Sequence, residues 1–202
     1  MQPFTSVSGI AAPMTASNID TDVIMPKQFL KGIDRQGLAK GAFFDERFIA
    51  DGTPNPDFTL NQPAWQHAVF LVTGPNFGCG SSREHAVWGL QQLGIRALIG
   101  PSFAGIFADN CQRNGVLTIT LDEASLGKVA AAANDVAGNR ITVDLTAQCI
   151  RLTGTEIPFD IDALKKHMLT EGYDAISYTF QYKNDIRDFE QRHFAANPWL
   201  VV

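Results

Sequence analysis

Cysteine is scarce in this sequence, and the few that occur exclude several kinds of protein. Only Cys79, Cys111 and Cys149 are found among 202 residues. An odd, widely spaced set does not make the disulfide framework of a small secreted domain. No Cys-x-x-Cys pair is present, so the chain carries no self-sufficient zinc or iron–sulfur motif. Positive charge is also short, with 16 Lys and Arg against 21 Asp and Glu and a net charge of −5. Without a basic cluster, a nucleic-acid-binding surface is excluded. No apolar run approaches the ~18 residues of a membrane helix. The start, Met1-Gln2-Pro3-Phe4, lacks the basic and apolar stretch of a signal peptide. These absences predict a soluble, cytoplasmic chain.

What is present is ordinary globular material, 45% hydrophobic and 18% charged, enough for one well-buried core. The first part is rich in turn formers and holds the segment Asn18-Ile19-Asp20-Thr21-Asp22. The middle is regular. Residues 68 to 73 read as a buried strand and 82 to 93 as a helix with Ala86, Val87, Leu90 and Leu93 on one face. A strand at 96 to 99, a helix from about 102 to 113 and a strand at 116 to 120 follow. That alternation predicts right-handed parallel units. Beyond it, 126 to 133 reads as a helix, 140 to 145 with 149 to 152 as an antiparallel hairpin, and 162 to 171 and 184 to 193 as helices. The fold class is α/β: a β-α-β-α-β core with additional antiparallel strands and a C-terminal helix.

The most informative stretch runs from Gly74 to His85. Three glycines, Gly74, Gly78 and Gly80, precede Ser81-Ser82-Arg83-Glu84-His85 at the strand-to-helix turn. Ser81 with Glu84 fits a capping box, which puts the helix start at the turn. A lysine for a P-loop is missing, and Arg83 stands where a dinucleotide fingerprint needs glycine. What remains is a site for a small carboxylate. Ser81 and Ser82 lie where helix N–H groups converge, and Arg83 offers a planar fork. The plainer alternatives are that Ser81 is an N-cap and Glu84 pairs with Arg83. For a serine to act as a base, a helix dipole worth at most ~2 kcal/mol is too little alone. Several N–H donors, a cation and exclusion of water must act together.

Gly78-x-Gly80-Ser81-Ser82-Arg83-Glu84-His85 resembles the signature of the aconitase-type swivelling domain, and Asp20-Thr21-Asp22 resembles that family's upstream motif. Asn18 to Asp22, Phe29-Leu30-Lys31, the glycine–serine turn and Ile106-Phe107-x-x-Asn110 together are similar to the small subunits of 3-isopropylmalate dehydratases. The resemblance spans nearly the whole chain. It implies a single swivelling domain over residues 1–202, with 160–202 as a helical appendage. It also implies a hydro-lyase active only with a large subunit that carries a [4Fe-4S] cluster, as a heterodimer or heterotetramer. The family reaction isomerises 2-isopropylmalate to 3-isopropylmalate by dehydration and rehydration in leucine biosynthesis. By the same resemblance Ser81 is the base, Arg83 clamps a substrate carboxylate and Ser82 helps hold the substrate or stabilises the alkoxide. Asp22 pairs with a histidine of the large subunit. The loop at 27 to 37 lies where the family selects substrates, so Phe29, Leu30 or Ile33 would supply an apolar wall. Lys31 or Arg35 would add a carboxylate contact.

Three rival readings stand beside this one. Cys79, next to a helix start, is a candidate nucleophile with His67 or His85 as base. The chain is alternatively a non-catalytic carboxylate-binding module. A third reading keeps the chemistry and changes the substrate to homoaconitate, citraconate or maleate. Cys111 and Cys149 read as structural.

Overall fold

The computed structural model describes residues 1–31 and 35–200 of the chain. In chain order the strands and helices are β1 (Ser6–Met14), α1 (Thr21–Ile24), α2 (Phe44–Arg47), β2 (Ala68–Thr73), α3 (Glu84–Gln92), β3 (Ala97–Gly100) and α4 (Gly105–Asn114). They continue with β4 (Leu117–Thr120), α5 (Glu123–Asn134), β5 (Arg140–Asp144), β6 (Cys149–Leu152), β7 (Thr155–Pro158), α6 (Ala163–Glu171), α7 (Ala175–Thr179) and α8 (Lys183–Ala196). The strands form one seven-stranded sheet in the order β4-β3-β2-β1-β5-β6-β7. From β1 to β4 the pairing is parallel, and from β1 through β5, β6 and β7 it is antiparallel. The predicted strand–helix alternation and the hairpin at 140 to 152 are both present.

The central strand is the one the sequence did not announce. β1 reads Ser-Val-Ser-Gly-Ile-Ala-Ala-Pro-Met, with glycine, alanine and proline where strands favour β-branched residues. Tertiary packing overrides that propensity. β1 lies between β2 and β5, and a Cβ on Gly9 would come within 2.5 Å of Val69 Cγ2, so only glycine fits the approach. A register shift at Ile10/Ala11 precedes Pro13, the residue that cannot donate to the ladder.

Alternation along the strands splits the core in two. Ala11, Phe70, Val72 and Ile99 face one cluster, closed by Val129 and Ala133 of α5 and Leu169 of α6. Ala12, Leu71 and Leu98 face the other, closed by Ala86, Val87 and Leu90 of α3 with Phe107 and Cys111 of α4. The C-terminal helices differ in how they are held. At α6, Phe4 N–H donates to Leu169 O at 2.9 Å and the Met1 ammonium to Gly172 O at 2.6 Å. α8 buries none of its residues. Among the described residues no helix is long and apolar enough to cross a membrane.

The sheet's parallel half decides where a site can form. β1, β2 and β3 are parallel neighbours, so the loops after Met14, Thr73 and Gly100 emerge side by side. A crevice at the carboxyl ends of parallel strands is the usual ligand position in such sheets.

Candidate active site

Those three loops meet at the glycine–serine turn. Gly78 sits at φ 78°, and a Cβ there would lie 2.1 Å from the Phe107 ring, so the turn needs glycine for both conformation and space. The loop before α1 zips onto the turn: Gly78 N–H donates to Ile19 O at 2.8 Å and Thr21 N–H to Cys79 O at 2.8 Å. Thr21 is 1% exposed, and its Oγ1 donates to Ser81 O at 2.7 Å. Asp20 closes α1 by accepting from Val23 N–H at 2.8 Å.

The helix start differs from the expected capping box. α3 begins at Glu84 with Arg83 as N-cap, in an extended conformation at φ −132° and ψ 104°, and without a side-chain cap. Glu84 does not reach back to Ser81, because its Oε1 accepts from Asn114 Nδ2 at 2.7 Å. Asn114 is buried at the end of α4, and its amide oxygen also accepts from Trp88 Nε1 at 3.0 Å. The demand of that buried amide takes Glu84 away from the turn. Ser81 and Ser82 are therefore released from capping and stand exposed.

Arg83 is likewise not paired with Glu84. Its Nη1 donates to Asp22 Oδ1 in an ion pair whose side chains are 17% and 44% exposed, respectively. Ser81, Ser82 and Arg83 line a hollow of about 130 Å³ with Thr21, Gly78 and Gly80. The opposite wall is Ala104, Gly105, Ile106 and Phe107, the start of α4. That helix also lacks a side-chain cap. Two uncapped helix N-termini thus flank one hollow, an arrangement suited to an anion. The sequence reading gave no role to Thr21 or to the start of α4. Parallel pairing of neighbouring strands was the available signal, since it sets consecutive βα loops together.

The described residues of the 27 to 37 loop do not line the hollow. Phe29 and Leu30 pack against the core cluster that α3 closes, and the Phe29 ring lies 5.0 Å from that of Phe44. Lys31 and Arg35 are exposed, and the Arg35 guanidinium stacks 4.3 Å over the Trp88 ring. Ile33 lies outside the described residues.

The thiols and imidazoles fall as follows. Cys79 Sγ donates to Asn18 O at 3.4 Å. Burial pushes the Cys111 thiol well up, which suits a packed, inert side chain. His67 is exposed at the start of β2, a six-residue strand away from the turn, or about 20 Å. It cannot serve as base to Cys79. The His85 ring packs 4.6 Å from Trp88. Among the described residues no group of three or more His, Cys, Asp or Glu side chains is placed to hold a metal.

Residues 1–124 match the family model described as the aconitase C-terminal domain, and residues 129–163 match the LeuD_N model. The chain is 62% identical to 3-isopropylmalate dehydratase small subunit 1 of Mannheimia succiniciproducens, with all of both chains covered. It is 60% identical to small subunit 2 of Salmonella typhimurium, over 99% of this chain and 96% of the other. A solved 3-isopropylmalate dehydratase (LeuD) from Methanocaldococcus jannaschii superposes with a TM-score of 0.66 at 26% identity, over 92% of this chain and 99% of that one. With the full-length sequence matches, the family model and the superposition in agreement, the chain belongs to the family of 3-isopropylmalate dehydratase small subunits in the aconitase superfamily.

Proposed function

We propose that this chain supplies half of the active site of a hydro-lyase that isomerises 2-isopropylmalate to 3-isopropylmalate, and that a large subunit supplies the rest. The observation that carries this reading is the hollow between the starts of α3 and α4. It holds two free-standing serines, an arginine and two helix N-termini, yet encloses only about 130 Å³. A pocket that buries a small organic ligand has roughly 300–1,000 Å³. The anion-binding and proton-handling groups are therefore present on an open half-site, which a second surface must complete.

Each residue then has a task. Arg83 has five N–H donors, and its bond to Asp22 engages only Nη1, so the remaining edge can hold a substrate carboxylate bidentately. Ser82 donates a further hydrogen bond to the substrate. Ser81 takes the proton from the carbon next to the hydroxyl-bearing carbon as the double bond forms, and the hydroxyl leaves as water with a second proton from an acid of the large subunit, which recovers that proton when water adds back. Water then returns with its oxygen on the neighbouring carbon, and Ser81 gives the proton back to the other. The cationic Arg83 and the two helix N-termini favour the alkoxide that this role needs, and closure by the large subunit excludes water. Asp22, 44% exposed, fixes Arg83 and leaves its second oxygen for a histidine of the large subunit. Phe29, Leu30, Lys31 and Arg35 do not line the hollow and are assigned to substrate selection by the family resemblance.

The described residues of this chain form no cluster-binding set, so a [4Fe-4S] cluster is assigned to the large subunit. There it would supply Lewis-acid chemistry toward the leaving hydroxyl. The test is an anaerobic assay of the assembled heteromer against 2-isopropylmalate, homoaconitate, citraconate and maleate. The expected result is turnover of 2-isopropylmalate at least about 100-fold above the other three in kcat/KM, and none by this chain alone. Preference for another diacid would overturn the substrate assignment.

A further inference from the structure

Asn18 and Asn76 both have left-handed backbone, at φ 58° and 57°. Asparagine tolerates this region better than most residues with a side chain, but glycine does so with less strain. Asparagine adds a side chain, and here the two side chains meet: Asn76 Nδ2 donates to Asn18 Oδ1 at 2.8 Å. Both residues are exposed. A single exposed hydrogen bond contributes about 1 kcal/mol, no more than the roughly 1–2 kcal/mol of one left-handed residue. Stability gives no reason for the pair.

Its location does. Asn18 precedes Asp20-Thr21-Asp22, and Asn76 begins the turn that ends at Ser81 and Ser82. Asn18 N–H donates to Pro75 O at 2.9 Å, and its own carbonyl accepts from Cys79 Sγ. Asn76 N–H donates to Ser102 Oγ at 2.9 Å, in the loop that leads into α4. The pair thus stands where all three loops that build the hollow come together. Strained, over-determined backbone beside a site is a known means of holding reacting groups in place.

We infer that Asn18 and Asn76 form a clasp that positions Ser81 relative to Asp22 and Arg83. They are positioning residues that touch no substrate. The inference rests on the proposed half-site.

Glycine variants separate the two roles of asparagine, because glycine keeps the positive φ and removes the side-chain bond. In the heteromer, Asn18→Gly and Asn76→Gly are each expected to lower kcat on 2-isopropylmalate about ten-fold with KM within about two-fold. The double variant should be no slower than either single one, since both remove the same bond. Wild-type kcat in either variant, or losses that multiply in the double, overturns the clasp. Hydrogen exchange at the Gly78 and Thr21 amides of the heteromer, which donate to Ile19 O and Cys79 O across the two loops, reads the positioning without substrate. Faster exchange is expected in both variants, and unchanged exchange overturns the clasp even if the wild-type heteromer leaves 2-isopropylmalate untouched. That last outcome alone would contradict the functional reading.

Discussion

Arg83 donates to Asp22 across 61 positions of sequence, and this contact joins the two loops that carry the site. Sequence reasoning gave the two residues separate partners, a substrate carboxylate for one and a histidine of the large subunit for the other. Their pairing means that Asp22 orients the Arg83 guanidinium.

A half-exposed ion pair contributes at most ~1 kcal/mol to stability. Asp22→Asn should therefore shift the thermal midpoint by no more than about 4 °C. Activity should respond far more, because a misdirected guanidinium loses its carboxylate geometry. About a ten-fold or greater fall in kcat/KM is expected for Asp22→Asn, and about the same for Arg83→Lys, which keeps the charge and loses the fork. Steady-state kinetics on the heteromer beside thermal denaturation checks both.

Asn114 makes the opposite kind of prediction. Its buried amide bonds Glu84, Trp88 and the Asn110 carbonyl, at 2.7, 3.0 and 2.8 Å. Asn114→Ala leaves the Trp88 Nε1 donor and the Glu84 carboxylate without these partners. The expected loss is about 2 kcal/mol, or roughly 4–8 °C in melting temperature. Because Glu84 then becomes available to Ser81 and Arg83, activity should fall further than the fraction unfolded accounts for.

Asp144 ties the antiparallel half together and gives the fold an acid-sensitive joint. The backbone N–H of Ala147, then the Arg151 guanidinium, hold its carboxyl below the usual carboxylate range. A carboxyl depressed on folding adds stability above its unfolded pKa of about 3.9, and that gain is lost as pH falls through the lower folded value. The gap in urea midpoint between wild type and Asp144→Asn should be clear near about pH 7 and narrow toward about pH 3. A gap that widens in acid would contradict the assignment.

The legible part of this molecule was the part governed by local pattern. The run at 68 to 73 and the amphipathic spacing of Ala86, Val87 and Leu90 both appear as read. β1 was not legible, because Gly9, Ala11 and Pro13 are strand residues only in contact with β2 and β5. The cap of α3 failed for a similar reason. A Ser-x-x-Glu spacing gives no sign that Asn114, 30 residues away, competes for the glutamate. Of the residues that line the hollow, the sequence singled out Ser81, Ser82 and Arg83 of the one turn, and gave no role to Thr21 or to the start of α4 on the neighbouring loops.

The serine-base account stands or falls on two variants of the assembled heteromer. Ser81→Ala should lower kcat on 2-isopropylmalate by about 10²–10⁴, the usual contribution of a positioned base, with the melting temperature unchanged. Cys79→Ala should stay within about three-fold of wild type, since its thiol bonds only the Asn18 carbonyl among the described contacts. A Cys79→Ala heteromer that is inactive beside a Ser81→Ala heteromer of near-normal kcat would contradict the account.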